Sequence, residues 1–253
     1  TSPINGSTLI TGTTYLDIGR TNGTLYYYVV TAVDTSTNQS VASNEVNATP
    51  LISLGAGLSF DGANDYVTFG TASGLGVTDF TLETWFYWTG GGVSMTTSGT
   101  QGLPSVIPLI SKGRGEADGS NLDMNYFLGV VPTTNKLAAD FEDMASGMNY
   151  PFTGNTTITT NAWHHAAVTY DSTTAVWSLY LDGVLDSTSD LGSNVLPRSD
   201  SIQHAGIGSA MTSAGTPAGY FQGKIDEARI WNRALSAGEI RAGINSELTS
   251  GSG

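Results

Sequence analysis

The chain has 253 residues, no cysteine and a formal net charge of −13, so neither disulfides nor thiol chemistry supports its fold. The acidic balance leaves no cationic footprint for nucleic-acid phosphates and disfavours anionic lipid surfaces. No apolar run approaches the ~18 residues that span a bilayer, so membrane insertion is not expected. Charged residues make up 12%, about half the usual ~25%. Lysine is confined to Lys112, Lys136 and Lys224, which suits an extracellular all-β module. No signal peptide opens the sequence, which is expected to be a mature piece or an excised fragment.

Within residues 1–50, Tyr26, Tyr28, Val30 and Ala32 alternate along an apolar run, and Asn44-Glu-Val-Asn-Ala-Thr-Pro50 closes the segment. This stretch resembles the C-terminal half of a fibronectin type III domain, with Tyr26 as the tyrosine-corner residue. Arg20 stands where that family usually carries leucine. A whole such domain needs about 100 residues in seven strands. Three readings stay open: a domain cut from a longer protein, a trimmed β-unit packed on the larger domain, or a unit completed by strands of another subunit.

Long alternating strands follow over residues 51–246. Leu58-Ser-Phe60-Asp-Gly-Ala-Asn-Asp65-Tyr-Val precedes Phe80-Thr-Leu-Glu-Thr-Trp85-Phe-Tyr-Trp88, where both faces carry large side chains. Such a strand is covered on each side or lines a groove. Val106–Lys112, Asn125–Val131 and Trp163-His-His-Ala-Ala-Val-Thr-Tyr170-Asp continue the series. Val176–Leu185 predicts a hairpin whose Asp182-Gly183 pair suits a type I′ turn. Thr89–Gly102, Gly113–Asn125 and Ser193–Gln203 read as loops. The closing stretch, Phe221-Gln-Gly-Lys-Ile-Asp226-Glu-Ala-Arg-Ile-Trp231-Asn-Arg-Ala-Leu235-Ser-Ala-Gly-Glu-Ile240, predicts a strand and then a short helix. Ser236 and Glu239 supply a capping box, and Leu235 and Ile240 a hydrophobic staple. Residues 247–253 read as a linker tail.

In order and wording, these segments resemble laminin-G-like (LamG-like, concanavalin A-like) jelly-roll domains, whose closing strand reads Gly-x-Ile-Asp-Glu-x-Arg-Ile-Trp-Asn-Arg-Ala-Leu. The resemblance implies an all-β, antiparallel two-sheet sandwich behind a small partial fibronectin-like unit. It also implies a structural calcium where the opening turn meets the closing strand, with Asp61, Asn64, Asp65 and Asp226 as the candidate metal set. The competing reading of those aspartates is turn capping.

Two further constellations are candidates. Glu116, Asp118, Asn121, Asp123 and Asn125 place five oxygen-bearing side chains in ten residues. Hard cations take such ligands, and Asp140, Glu142 and Asp143 stand close enough in sequence to approach them. Asp118, Asn121 and Asp123 are therefore candidate ligand-binding residues, either around calcium or as a solvated loop. Trp85, Tyr87 and Tyr126 are candidate stacking platforms for sugar, although strand aromatics usually belong to cores. His164 and His165 are consecutive on a strand and point to opposite faces, so a structural role is expected. The paired strand carboxylates of glycoside hydrolases are missing, because Glu83 has no acidic partner two residues away. The expected function is non-catalytic: extracellular binding of carbohydrate or a cell-surface protein, assisted by calcium, within a larger secreted or surface protein. The alternative is a structural subunit of an extracellular fibre that self-assembles through its N-terminal unit.

Overall fold

A computed structural model describes residues 3–15, 17, 20, 24–48, 50, 57–116, 118, 123–192 and 195–246. The chain divides into two compact units, Thr1–Ser53 and Leu54–Gly253. In the first, β1 (Tyr26–Tyr28) pairs antiparallel with β2 (Val46–Ala48). Tyr26 is half-buried with the Arg20 guanidinium over its ring. Val30, Val41 and Val46 are exposed.

The larger unit begins with β3 (Leu58–Asp61), β4 (Val67–Thr68), β5 (Phe80–Val93), β6 (Ile107–Lys112), β7 (Tyr126–Val131), β8 (Lys136–Asp140) and β9 (Phe152–Thr153). It continues with β10 (Trp163–Asp171), β11 (Val176–Leu181), β12 (Val184–Asp190), β13 (Ala205–Ile207), β14 (Ala210–Met211), β15 (Pro217–Ala218), β16 (Tyr220–Trp231) and helix α1 (Ala237–Gly243). Two six-stranded antiparallel sheets form, in the orders β12-β11-β10-β5-β16-β3 and β4-β13-β6-β7-β8-β9. The expected two-sheet sandwich is present. β5 extends through Val93, so the first third of the predicted 89–102 loop is strand.

The period-2 alternation decides which side chains meet between the sheets. Phe80, Leu82, Phe86, Val168, Tyr170, Trp177 and Leu179 of the first sheet share one buried cluster with Ile107, Tyr126, Leu128, Val130, Leu137 and Ala139 of the second. Asp182 and Gly183 both adopt positive φ, 53° and 74°, as a type I′ turn requires. Leu181 and Val184 pair around them. At α1 the Ser236 hydroxyl accepts from the Glu239 amide while the Glu239 carboxylate accepts from the Ser236 amide. Leu235 and Ile240 then pack on Ala167 and Tyr180, on the outer face of the first sheet. That placement covers part of the outer face around Ala167 and Tyr180.

Candidate functional site

Residues directly opposite one another in an antiparallel ladder share a face, so the outer face of the first sheet can be read in rows. The first row is Trp163, Tyr87, Lys224 and Ser59, on four adjacent strands. Tyr87 and Trp163 are half-buried and meet edge to face, centroids 5.7 Å apart, while Lys224 and Ser59 are exposed. The second row is His165, Trp85 and Asp226. The third contains Ala167, Glu83 and Arg229. Between the last two rows a bulge inserts one extra residue into β16, and Glu227 takes φ 51° there. Without it Ala228, not Arg229, would oppose Glu83.

The second and third rows lie under the C-terminal segment. Trp85 is 6% exposed and its indole N–H donates to the Ile244 carbonyl at 2.7 Å. Glu83 is buried; Trp231 Nε1 donates to its Oε1 at 2.9 Å, and Arg229 Nη1 lies 3.5 Å from the same oxygen. Of the three expected stacking platforms, only Tyr87 therefore offers a partly open ring. Trp85 is roofed over, and Tyr126 is fully buried with its hydroxyl on the Leu75 carbonyl. Tyr126 fails as a platform because its strand parity turns it inward. Trp163 and Lys224, which the sequence reading passed over, complete the exposed row. Their signal was available: Trp163 shares the parity of the outward His165.

The histidines follow the structural reading. His164 Nδ1 lies 2.9 Å from Asp182 Oδ2, and its ring packs on Phe86. His165 is 1% exposed and neither ring nitrogen has a hydrogen-bond partner. Burial, with the Arg229 charge adding to it against Asp182, holds its pKa down at about 3. The unfolded chain binds a proton near pH 6.5 while the folded chain stays neutral, so His165 destabilises the fold as pH drops from ~6.5 towards ~3. The expected result is that His165→Phe loses less stability than the unmodified chain between pH 7 and pH 4.5, read as the difference in urea midpoint. Equal losses would remove His165 as the cause.

The second sheet carries an acidic cluster at its β7/β8 end. Asp140 and Glu142 lie two residues apart and turn to the same side, while Phe141 between them enters the core. The Met124 amide donates to Glu142 Oε2 at 3.0 Å, which brings Asp123 alongside. Asn149 bridges Glu142 and donates its amide to Asp140 Oδ2 at 3.2 Å. Thr97 Oγ1 donates to that same oxygen at 2.6 Å. Gln203 Nε2 donates to Asp123 Oδ1 at 3.1 Å. All four are buried, yet Asp123 Oδ2, Asp140 Oδ1, Glu142 Oε1 and Asn149 Oδ1 have no hydrogen-bond partner. Burial pushes Asp123 up to about 6, Asp140 to about 7 and Glu142 to about 8.

Membership of this cluster differs from the acidic loop expected from sequence. Asp118 stays beside Asp123, since Gln203 Nε2 donates to the two carboxylates at 2.9 and 3.1 Å, and it also accepts from Ser213 N and Oγ, both at 2.7 Å. Asn125 clamps the backbone of Val77. Asn121 lies outside the described residues. Asp118 and Asp123 remain together on the Gln203 amide, Glu142 accepts from the adjacent Met124 amide, and Asn149, which the sequence reading did not single out, donates to Asp140.

The opening-turn set is not one site. Asp61 Oδ1 accepts from the Ala63 and Asn64 amides, and Asp65 Oδ2 from the Asp61 amide, so two of these carboxylates cap their own turn. Asp61 opposes Gln222, while Asp226 sits four residues further along β16, about 13 Å away at strand rise. Asp226 Oδ1 accepts from the Glu227 amide and Oδ2 is buried without a partner. Among the described residues no three His, Asp or Glu side chains are already drawn together as a metal-holding group.

The family model described as the concanavalin A-like lectin/glucanases superfamily matches residues 61–241. No curated protein matches the sequence. Among solved structures, the CBM40 of Ruminococcus gnavus IT-sialidase bound to α2,3-sialyllactose aligns at 17% identity and TM-score 0.56, covering 76% of this chain and 97% of that one. A NanB sialidase from Streptococcus pneumoniae aligns at 17% identity and TM-score 0.54, covering 75% and 27%. A leech intramolecular trans-sialidase aligns at 15% identity and TM-score 0.51, covering 74% and 28%. At these identities the likeness is one of fold.

Proposed function

The chain belongs to the concanavalin A-like lectin/glucanases superfamily, and from that premise we propose that its larger unit is a non-catalytic glycan-binding module of a secreted or surface protein, assisted by calcium. The exposed row Trp163–Tyr87–Lys224–Ser59 carries the reading. Two rings at the edge of the covered surface offer apolar faces to the C–H side of a sugar. Lys224 and Ser59 stand beside them to hydrogen-bond hydroxyls or a carboxylate. The R. gnavus neighbour is a carbohydrate-binding module holding sialyllactose, so a sugar acid is the first ligand class to screen against Lys224. The buried state of Glu83, held by Trp231 and Arg229, supports a role without catalysis.

The test is a glycan array with the intact chain, in calcium and in EDTA, repeated with Trp163→Ala and Tyr87→Ala. An aromatic anchor contributes about 2 kcal/mol, roughly thirtyfold in Kd, so each variant is expected to lose that much affinity. Binding that survives both substitutions would place the ligand elsewhere, and no binding by the unmodified chain would refute the reading.

A second reading, a fibre subunit, rests on the N-terminal unit, where Val30 is 71% and Val41 90% exposed. It expects assemblies in light scattering that disappear when residues 1–50 are deleted. A monodisperse full-length monomer would end it.

A further inference from the structure

We propose that residues 236–246 are a displaceable cover over a second sugar platform, Trp85, on the outer face of the first sheet. What the platform takes rests on the glycan-binding reading above; the opening of the cover does not. Trp85 and Tyr87 share one face of β5 two residues apart, about 7 Å at strand rise. The covered ring therefore continues the open row by one step, within reach of the next sugar of an oligosaccharide. Only the cover keeps it from water: Trp85 is 6% exposed, and its indole N–H donates to the Ile244 carbonyl. A ligand hydroxyl can accept the same bond.

The cover is held lightly. Thr81 Oγ1 donates to the Arg233 carbonyl and accepts from the Leu235 amide, which pins the chain where the cover begins. Beyond that point Ile240 is the buried side chain of α1, and it packs with Leu235 on Ala167 and Tyr180, a small cluster separate from the one between the sheets. A helix of seven residues does not persist without docking, so the segment detaches as one unit. The ground beneath it is incompletely satisfied. His165 is 1% exposed, and neither ring nitrogen has a hydrogen-bond partner among the described residues. Glu83 Oε2, equally unpartnered, lies 3.6 Å from His165 Nε2, beyond a good hydrogen bond. Unpaired buried polar atoms oppose burial, so water or sugar hydroxyls that reach them favour the open form. Arg229 acts the other way, with its guanidinium on the Gly243 and Ser246 carbonyls.

The chain has no cysteine, so single introduced thiols report the opening. Ala166→Cys places one in the cluster between the sheets, and Ala167→Cys places one beneath Ile240. Under native conditions a soluble thiol reagent is expected to label Ala167→Cys at least tenfold faster than Ala166→Cys. Adding Ile240→Asp, which undocks the cover, should speed the first at least tenfold further and leave the second unchanged. Equal labelling of the two positions overturns the proposal, because the cover then opens only with the whole unit. If Ile240→Asp speeds both positions alike, the sandwich itself has failed, and the milder Ile240→Ala carries the same expectation in its place. On the glycan array, the undocked variant is expected to bind at least one glycan tenfold more tightly than the unmodified chain, and to lose that gain when Trp85→Ala is added. No gain, or a gain that survives Trp85→Ala, overturns the proposal. A gain on undocking in a chain whose unmodified form binds nothing would support the covered platform and defeat the open row. Array binding that is indifferent to Ile240 would do the reverse.

Discussion

Replacing Trp177 by alanine is expected to cost the larger unit about 3–5 kcal/mol, the range for emptying a buried aromatic site. Trp177 is fully buried on β11, its ring 4.9 Å from Phe141, 5.2 Å from Tyr170, 5.8 Å from Phe80 and 6.2 Å from Phe152. Phe80 and Tyr170 come from the first sheet; Phe152 and Phe141 lie on the second sheet and just past β8. One side chain therefore fills the space between the layers, and its loss opens a cavity that packed rings cannot collapse to fill. Its indole N–H has no partner, so Trp177→Phe, which keeps a ring and removes the orphan donor, is expected to cost less than half as much. Urea unfolding followed by the remaining tryptophans checks both. All five tryptophans of the chain lie beyond residue 54, so the signal reports only this unit. A loss under about 1 kcal/mol for the alanine variant would contradict the packing argument.

The second large effect is expected at Arg229. Its guanidinium reaches Glu227 Oε2 at 2.6 Å, Glu83 Oε1 at 3.5 Å, the Gly243 carbonyl at 3.4 Å and the Ser246 carbonyl. It therefore joins the centre of the first sheet to the end of α1. Arg229→Met leaves the Glu83 carboxylate buried with the Trp231 N–H and, 3.6 Å away, the His165 ring to answer it, and frees carbonyls beyond the helix. Breaking one side of a buried ion pair costs about 3–5 kcal/mol, whereas replacing both partners by apolar groups is often neutral. The expected result is a large loss in Arg229→Met and recovery of most of it in the double variant Glu83→Leu/Arg229→Met. Additive losses would show that Arg229 acts through α1 alone.

Much of the architecture is legible in the sequence because it is encoded locally. The Asp182-Gly183 turn needs positive φ at both positions, and Ser236 with Glu239 satisfies two helix-end amides within four residues. The alternation Phe80, Leu82, Phe86 against Thr81, Glu83, Trp85 separates the two faces of β5. Each of these is settled by neighbours in the chain.

What the sequence leaves open is whether a face is covered, and by what. Alternation places Trp85 outside the sandwich, yet α1 and the Ile244 carbonyl, more than 150 residues away, bury it. Tyr87, two residues on and of the same parity, stays partly open because the helix stops short of it. The bulge at Glu227 likewise depends on register between β16 and β5, a property of the pair and not of either strand. For the acidic residues, spacing points to the 116–125 loop, but Asp118 is taken by Ser213 and Asn125 by Val77, both distant in sequence. Asp118 nonetheless stays beside Asp123 through the shared Gln203 amide, and Glu142 approaches through the Met124 amide. Strand composition thus determines the fold and the direction of each side chain. Long-range packing decides which carboxylates share a pocket and which aromatic rings reach water, because both depend on segments that meet only after the sheets have closed.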